Sequence, residues 1–131
     1  MLKNLRENVF CKIGCSKIHG VGVIAIKPIP KGVNPFKRVI PDDKIIAVPD
    51  RDVQRLDPRV RRLVEAFFQK EADDKWYLPA SGLNGIDISF YMNHSNNPNM
   101  VIVDRVGQKF VEFKTKRSIA QGEELMINYA R

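Results

Sequence analysis
Cysteine is scarce: the 131 residues contain two, Cys11 and Cys15. Two cysteines cannot build a disulfide framework, and nothing with metal-ligand spacing lies near them, so no metal site is expected. Reduced, structural thiols fit an intracellular compartment, the cytoplasm or the nucleus (of a host cell, if the source is microbial or viral). Long apolar runs are also missing. No stretch approaches the ~18 residues of a membrane span, and no membrane association is expected. The opening Met1-Leu2-Lys3-Asn4-Leu5-Arg6-Glu7-Asn8 has no apolar stretch behind it, unlike a secretory signal. Aromatic residues make up only 8% of the chain and do not interleave with basic ones. That pattern, with no RNA-binding signature or zinc-finger spacing, argues against direct nucleic-acid readout.

The chain does carry charge and a core. Its formal net charge is +7, which favours acidic partners and steers them at most. The densest cluster, Arg51 to Arg62, is diluted by acidic residues. With 44% apolar residues, a chain of this size is one domain that hides roughly two thirds of its unfolded surface. Val9-Phe10-Cys11-Lys12-Ile13 reads as a first strand and Gly14 to Gly20 as a loop. Val21 to Ile26 is a β-branched second strand, ended by Lys27-Pro28-Ile29-Pro30-Lys31-Gly32. Val39-Ile40 and Lys44 to Val48 are short strand candidates around Pro41-Asp42-Asp43. Asp57-Pro58 starts a helix, with Val60, Leu63, Val64, Phe67 and Phe68 on one apolar face and Arg61 and Glu65 paired on the other. Ile86 to Tyr91 alternates like a half-buried strand. Met100 to Val103 and Lys109 to Lys114 form a hairpin with Gly107 in its loop. Arg117-Ser118-Ile119-Ala120-Gln121-Gly122 echoes Lys27 to Gly32, a local device used twice. Many short strands and one good helix make a mostly β chain of α+β class.

Three motifs stand out: Ile18-His19-Gly20-Val21-Gly22-Val23, Asn93-His94-Ser95-Asn96-Asn97-Pro98-Asn99, and Gly122-Glu123-Glu124-Leu125 followed by Tyr129. The second alone is compatible with a polar hairpin loop. Together, in this order, they resemble the SET domain, the fold of protein-lysine methyltransferases. The resemblance runs from about Val9 to Tyr129. It implies a single SET domain over 1–131, a β-clip of short strands with one helical insert at about 50–85 and a knot-like C-terminal crossing.

The same resemblance implies the site. Main-chain atoms of His19, Gly20, Val21 and Gly22 would lie against S-adenosylmethionine, the glycines leaving room for it. Tyr91, Asn93 and His94 would complete the cofactor site, with the Asn93 side chain near the amino-acid end. Tyr129 would be the catalytic tyrosine, in a transfer that needs no metal and no covalent intermediate. A lysine side chain of a protein, a histone among the candidates, would be the methyl acceptor. Two simpler roles compete: His94 as a buried, hydrogen-bonded imidazole holding the crossing, and Tyr129 as a C-terminal aromatic plugging the core.

The chain departs from the family in three places. Phe90 stands where many members have arginine. Ile127 stands where the family often has Phe or Tyr, which leaves the methylation state open. The sequence has no zinc-binding cysteine segment before the domain and stops two residues after Tyr129. The lysine channel would then be walled by Trp76, Tyr77 and Ile127 or by a second subunit of a homodimer, or stand open. An incomplete channel gives the alternative function, a non-catalytic SET-like binding module for protein or chromatin. A basic nucleic-acid-binding β domain with chance motifs is a third and weaker reading.

Overall fold
The computed structural model describes residues 2–37, 44–103 and 112–130. The chain divides into two compact units, Met1–Pro41 with Asp87–Arg131, and Asp42–Ile86. Along the chain the elements are α1 (Leu2–Glu7), β1 (Cys11–Cys15), β2 (Val21–Ala25), β3 (Ile45–Pro49), α2 (Asp50–Gln54), α3 (Pro58–Phe67) and β4 (Lys75–Pro79). They continue with β5 (Asn93–His94), β6 (Met100–Val103), β7 (Glu112–Thr115) and β8 (Glu124–Ile127). Short 3-10 turns cover Gly82–Gly85 and Ile88–Tyr91. No helix among the described residues is long and apolar enough to cross a membrane.

The first unit is built on a sheet of order β1-β2-β8-β5. Strands β1 and β2 pair antiparallel from Cys11 opposite Ala25 to Cys15 opposite Val21. Strand β8 runs antiparallel to β2, with Val23 opposite Leu125, and parallel to β5, with Asn93 opposite Met126. Side chains alternate across strands, so Val23 and Ala25 of β2 and Leu125 and Ile127 of β8 reach one buried core. Ile29, Met92, Met100 and Ile119 complete it. Strands β6 and β7 form an antiparallel pair, Met100 opposite Thr115 to Val103 opposite Glu112.

The two echoed segments meet each other. Ile29 and Ile119, each 1% exposed, exchange backbone hydrogen bonds of 2.8 Å in both directions. Each segment then turns at a glycine in the left-handed region, φ 82° at Gly32 and 85° at Gly122, which other residues rarely adopt. Beside them Thr115 is buried, its hydroxyl donating to the Pro30 carbonyl at 2.6 Å and accepting from Val33 N at 3.0 Å. Asn99 is fully buried. Its Nδ2 donates to the Glu124 carbonyl at 2.8 Å and to Glu123 Oε2 at 3.1 Å, while its Oδ1 accepts from Met126 N at 2.8 Å.

The second unit pairs β3 with β4, Ile45 opposite Pro79 to Pro49 opposite Lys75, over a core of Val53, Val64 and Trp76. Asp50 organises its end. It accepts from Trp76 Nε1 at 2.9 Å and Gln54 Nε2 at 3.1 Å, and Lys70 Nζ lies 3.8 Å away. The Trp76 hydrogen bond leads these contacts in holding the Asp50 carboxyl below the usual aspartate range.

Several expectations need correction. The stretch predicted as a strand over Ile86 to Tyr91 ends in a 3-10 turn, because the Asp87 carboxylate accepts from Ser89 N at 2.9 Å and starts a turn. The first strand is Cys11–Cys15, so Gly14 sits inside it rather than in a loop. Helix α3 starts at the Asp57 cap, whose side chain accepts from Arg59 N, and the Arg61–Glu65 pair forms at 3.8 Å. Its apolar face is only partly used: Val64 is buried, but Val60 and Leu63 are 40% and 47% exposed, and Phe68 is the extended residue that ends the helix. Patterning also missed α1, which buries no residue, together with α2 and β4. The strand candidate at Val39-Ile40 and the hairpin loop around Gly107 lie outside the described residues, as do Lys109 to Val111.

Two predictions follow from these polar anchors. Asn99→Ala strands the Met126 N–H and the Glu124 carbonyl, and should cost about 2–4 kcal/mol in urea unfolding, whereas Val101→Ala at a partly exposed site should cost much less. A folded-state value lowered at Asp50 means stability present at neutral pH and lost in acid as the carboxyl protonates. Trp76, the single tryptophan, reports this: its emission should change on acidification below the ordinary aspartate range, and Asp50→Asn should remove that transition.

Candidate functional site
The three sequence motifs converge where β2, β5 and β8 lie side by side. Gly22 is the close-approach point. A Cβ built there would stand 2.5 Å from Glu124 Oε2, 2.8 Å from Glu124 Cδ and 3.1 Å from Asn93 Nδ2. The glycine is therefore required by protein side chains that cross over it, rather than only by a ligand as expected. Glu124 and Asn93 use the space. Asn93 Nδ2 donates to Glu124 Oε2 at 2.9 Å, to the Val21 carbonyl at 3.0 Å and to the His19 carbonyl at 3.2 Å. Its Oδ1 has no partner among the described residues.

Glu124 also reaches the loop before β2. Its Oε1 accepts from Ser16 Oγ at 2.7 Å. The same hydroxyl oxygen accepts from Ile18 N at 3.0 Å and His19 N at 3.1 Å. The loop closes through Ser16 N donating to the Gly20 carbonyl at 2.8 Å, with Gly20 at φ 53° and open space where its Cβ would be. His19, Gly20 and Val21 are exposed, so their main chain forms an open rim beside Asn93.

On the far side of β5 the tail returns. Ser95 N donates to the Ile127 carbonyl at 2.9 Å, and Tyr129 N donates to His94 Nδ1 at 3.0 Å. Because Nδ1 accepts, the imidazole is the neutral tautomer with its proton on Nε2, and that nitrogen lies 3.1 Å from Asn96 Oδ1. His94 is exposed, so it is not the buried imidazole considered above, although it does hold the two segments together. The Tyr129 ring is tilted 54° to His94 with centroids 5.3 Å apart. Tyr129 is 59% exposed, which excludes a core plug. Its hydroxyl nevertheless turns inward and donates to the Met92 carbonyl, and burial there raises the phenol above the ordinary tyrosine value.

Tyr129, Asn93, His94, His19, Gly20, Val21 and Gly22 thus come together in one unit. Tyr91 closes the 3-10 turn leading into β5 and packs against the main core. The Ile127 side chain is 6% exposed and belongs to that core. Trp76 and Tyr77 belong to the second unit, where the indole is a core residue held by Asp50 and the Tyr77 hydroxyl donates to Asp73. Sequence reasoning gave no role to Ser16, Glu124, Asn99 or the Met92 carbonyl. Only Ser16 had a local signal, a serine placed to accept from backbone amides two and three residues on. Among the described residues no group of three or more His, Cys, Asp or Glu side chains could hold a metal.

The family model described as "SET domain" matches residues 18–130. The chain belongs to the SET-domain family. No curated protein sequence matches it significantly. Among solved structures, this SET domain is similar to a Plasmodium falciparum protein assigned as a candidate histone methyltransferase, at 19% identity and TM-score 0.59 over 94% of this chain and 95% of that one. It is also similar to a humanized mutant of the Chaetomium thermophilum Polycomb Repressive Complex 2 bound to an inhibitor, at 22% identity and TM-score 0.60. That match covers 93% of this chain and 15% of the other. At these identities the likeness establishes the fold, and the strand-rich α+β architecture described above is that of SET structures.

The crossing over Gly22 can be tested directly. Gly22→Ala should destabilise the SET domain by about 1–3 kcal/mol in urea unfolding, the usual cost of overpacking. In a Glu124→Ala background the same substitution should cost much less, because the crowded carboxylate is gone. Additive costs would show that Glu124 is not what the glycine accommodates.

Proposed function
We propose that this SET domain transfers a methyl group from S-adenosylmethionine to the side-chain amine of a lysine in a protein substrate, histones being one candidate. The observation that carries the reading is the Tyr129 hydroxyl seated on the Met92 carbonyl, next to Asn93 and His94. The family uses S-adenosylmethionine, and the residues fit it. Asn93 Oδ1 is an acceptor without a partner among the described residues, suited to an ammonium group. The exposed main chain of His19 to Val21 and the open space at Gly20 leave an accessible rim beside Asn93. When bound, the cofactor supplies a methyl group activated on a sulfonium.

The chain's own groups do the rest. With its proton committed to Met92, the Tyr129 oxygen keeps its lone pairs for an incoming amine N–H, which would orient the nitrogen lone pair. The paired hydroxyl and carbonyl form a polar edge that needs no reorganisation when charge develops. His94 fixes the Tyr129 backbone rather than handling protons, since its Nδ1 is already occupied by the Tyr129 N–H. Burial keeps the Tyr129 phenol protonated through the working range, so it acts by hydrogen bonding. The lysine amine, with a free value of about 10.4, must lose its proton before attack.

The exposure of Tyr129 favours one second reading, a SET-like binding module without turnover. Labelled-methyl transfer to histones or total lysate protein separates the two. Tyr129→Phe keeps the ring against His94 and should lower the rate by about 10²–10³-fold, the scale of losing an oriented polar group. Equal transfer by both proteins, or none by the wild type, rejects the catalytic role. The rate should also rise between neutral pH and about pH 9 as the amine deprotonates. Because the phenol value is raised, that rise should persist in any slow variant that retains Tyr129, and a flat profile would show that proton removal does not limit the rate.

A further inference from the structure
We propose that Glu124 is a positioning residue for the cofactor rim, and that its negative charge biases the site toward a cationic ligand over its neutral counterpart. The inference rests on the methyl-transfer reading for the identity of the ligand, and on geometry alone for the positioning.

The carboxylate of Glu124 is shared by two segments that the chain places far apart. Oε1 takes the Ser16 hydroxyl at 2.7 Å, and Oε2 takes Asn93 Nδ2 at 2.9 Å. Ser16 in turn holds the backbone amides of Ile18 and His19. One side chain therefore fixes both the rim and the asparagine beside it. Gly22 gives up its side chain so that the carboxylate can lie across the strand.

Both partners of Glu124 are neutral. Its neighbour Glu123 is different: Arg117 Nη2 lies 2.6 Å from Oε2. In a chain of net charge +7, no cation pairs with Glu124 among the described residues, although the residue is only partly exposed. A carboxylate whose partners are neutral keeps its negative potential for a positive group that arrives nearby. S-adenosylmethionine brings a sulfonium and an ammonium. The demethylated product, S-adenosylhomocysteine, keeps the ammonium and loses the sulfonium. A carboxylate at this rim would hold the charged form more tightly and let the neutral sulfur go, an effect of about threefold to tenfold for one charge acting across roughly 10 Å of partly wet protein.

The test uses the full chain with S-adenosylmethionine and S-adenosylhomocysteine in calorimetry, and amide hydrogen exchange at Ile18 and His19 without ligand. Glu124→Gln keeps an acceptor and removes the charge. It should lose threefold to tenfold of the preference for the sulfonium compound, while Glu65→Gln, an exposed charge in the second unit, should leave the ratio unchanged. Glu124→Ala and Ser16→Ala should each speed exchange at the two amides at least about tenfold. Equal weakening of both ligands by Glu124→Gln overturns the charge bias, and unchanged exchange in the alanine variants overturns the positioning role. If Glu124→Ala fails to fold, Ser16→Ala decides the exchange arm. If the wild type binds neither compound, the methyl-transfer reading and the charge bias fall together, and the exchange result still decides the positioning role.

Discussion
Strand β8 has one neighbour running against it and one running with it, and the buried amide of Asn99 lets that arrangement close. A strand flanked antiparallel by β2 and parallel by the two residues of β5 does not find partners for all its backbone groups in ladders alone. Asn99 supplies a donor to the Glu124 carbonyl and an acceptor to Met126 N, two groups on one edge of the same strand. An amide suits the task because it offers both functions without bringing a charge into the core. Unsatisfied, each backbone group would cost as much as the burial of a small apolar side chain contributes. The site residues on and beside β8 depend on this closure as well as on their own contacts.

The rest of the frame prevents β8 from sliding. The reciprocal hydrogen bonds between Ile29 and Ile119 fix the entry to β8 just as the Ala25–Glu123 and Gly122–Ala25 contacts fix its start. Leu125 and Ile127 then face the core and Glu124 faces the rim, an alternation that a one-residue slip would invert. His94 completes the far end by holding the Tyr129 backbone, and the tyrosine hydroxyl turns back to Met92. Position at the site is thus passed through a few side chains, Asn99, Glu124, Ser16 and His94, each of which holds the main chain or side chain of a distant segment.

That division explains what could be read from the sequence. The α+β class, the strands at Val21–Ala25 and Ile45–Pro49 and the helix capped by Asp57 rest on local chemistry, and local chemistry is visible in order along the chain. The clustering of His19–Gly22, Asn93–His94 and Tyr129 came from motif resemblance, which carries non-local information that spacing does not. The misreadings have the same origin. Ile86 to Tyr91 alternates, but an aspartate cap outweighs alternation in six residues. Val60 and Leu63 have helical spacing, yet spacing does not say whether a partner covers them. Glu124 and Ser16 meet across 108 positions, and nothing local to either residue announces the other. Gly22 was read as a place for a ligand because the side chains that occupy the space belong to segments far along the chain.

The long reach of the Ser16–Glu124 contact has a kinetic consequence. The β1–β2 hairpin closes over a handful of residues and can form in microseconds. The His19 to Val21 rim it carries gains its Glu124 anchor only when β8 arrives, about a hundred residues later in synthesis. Loop-closure entropy must be surrendered before so non-local a contact is gained, which makes docking of β8 a late event, as in other folds of high contact order. A nascent chain that ends before Glu124 would lack the carboxylate that holds Ser16 and Asn93. Order in that rim reports completion of the fold rather than its beginning.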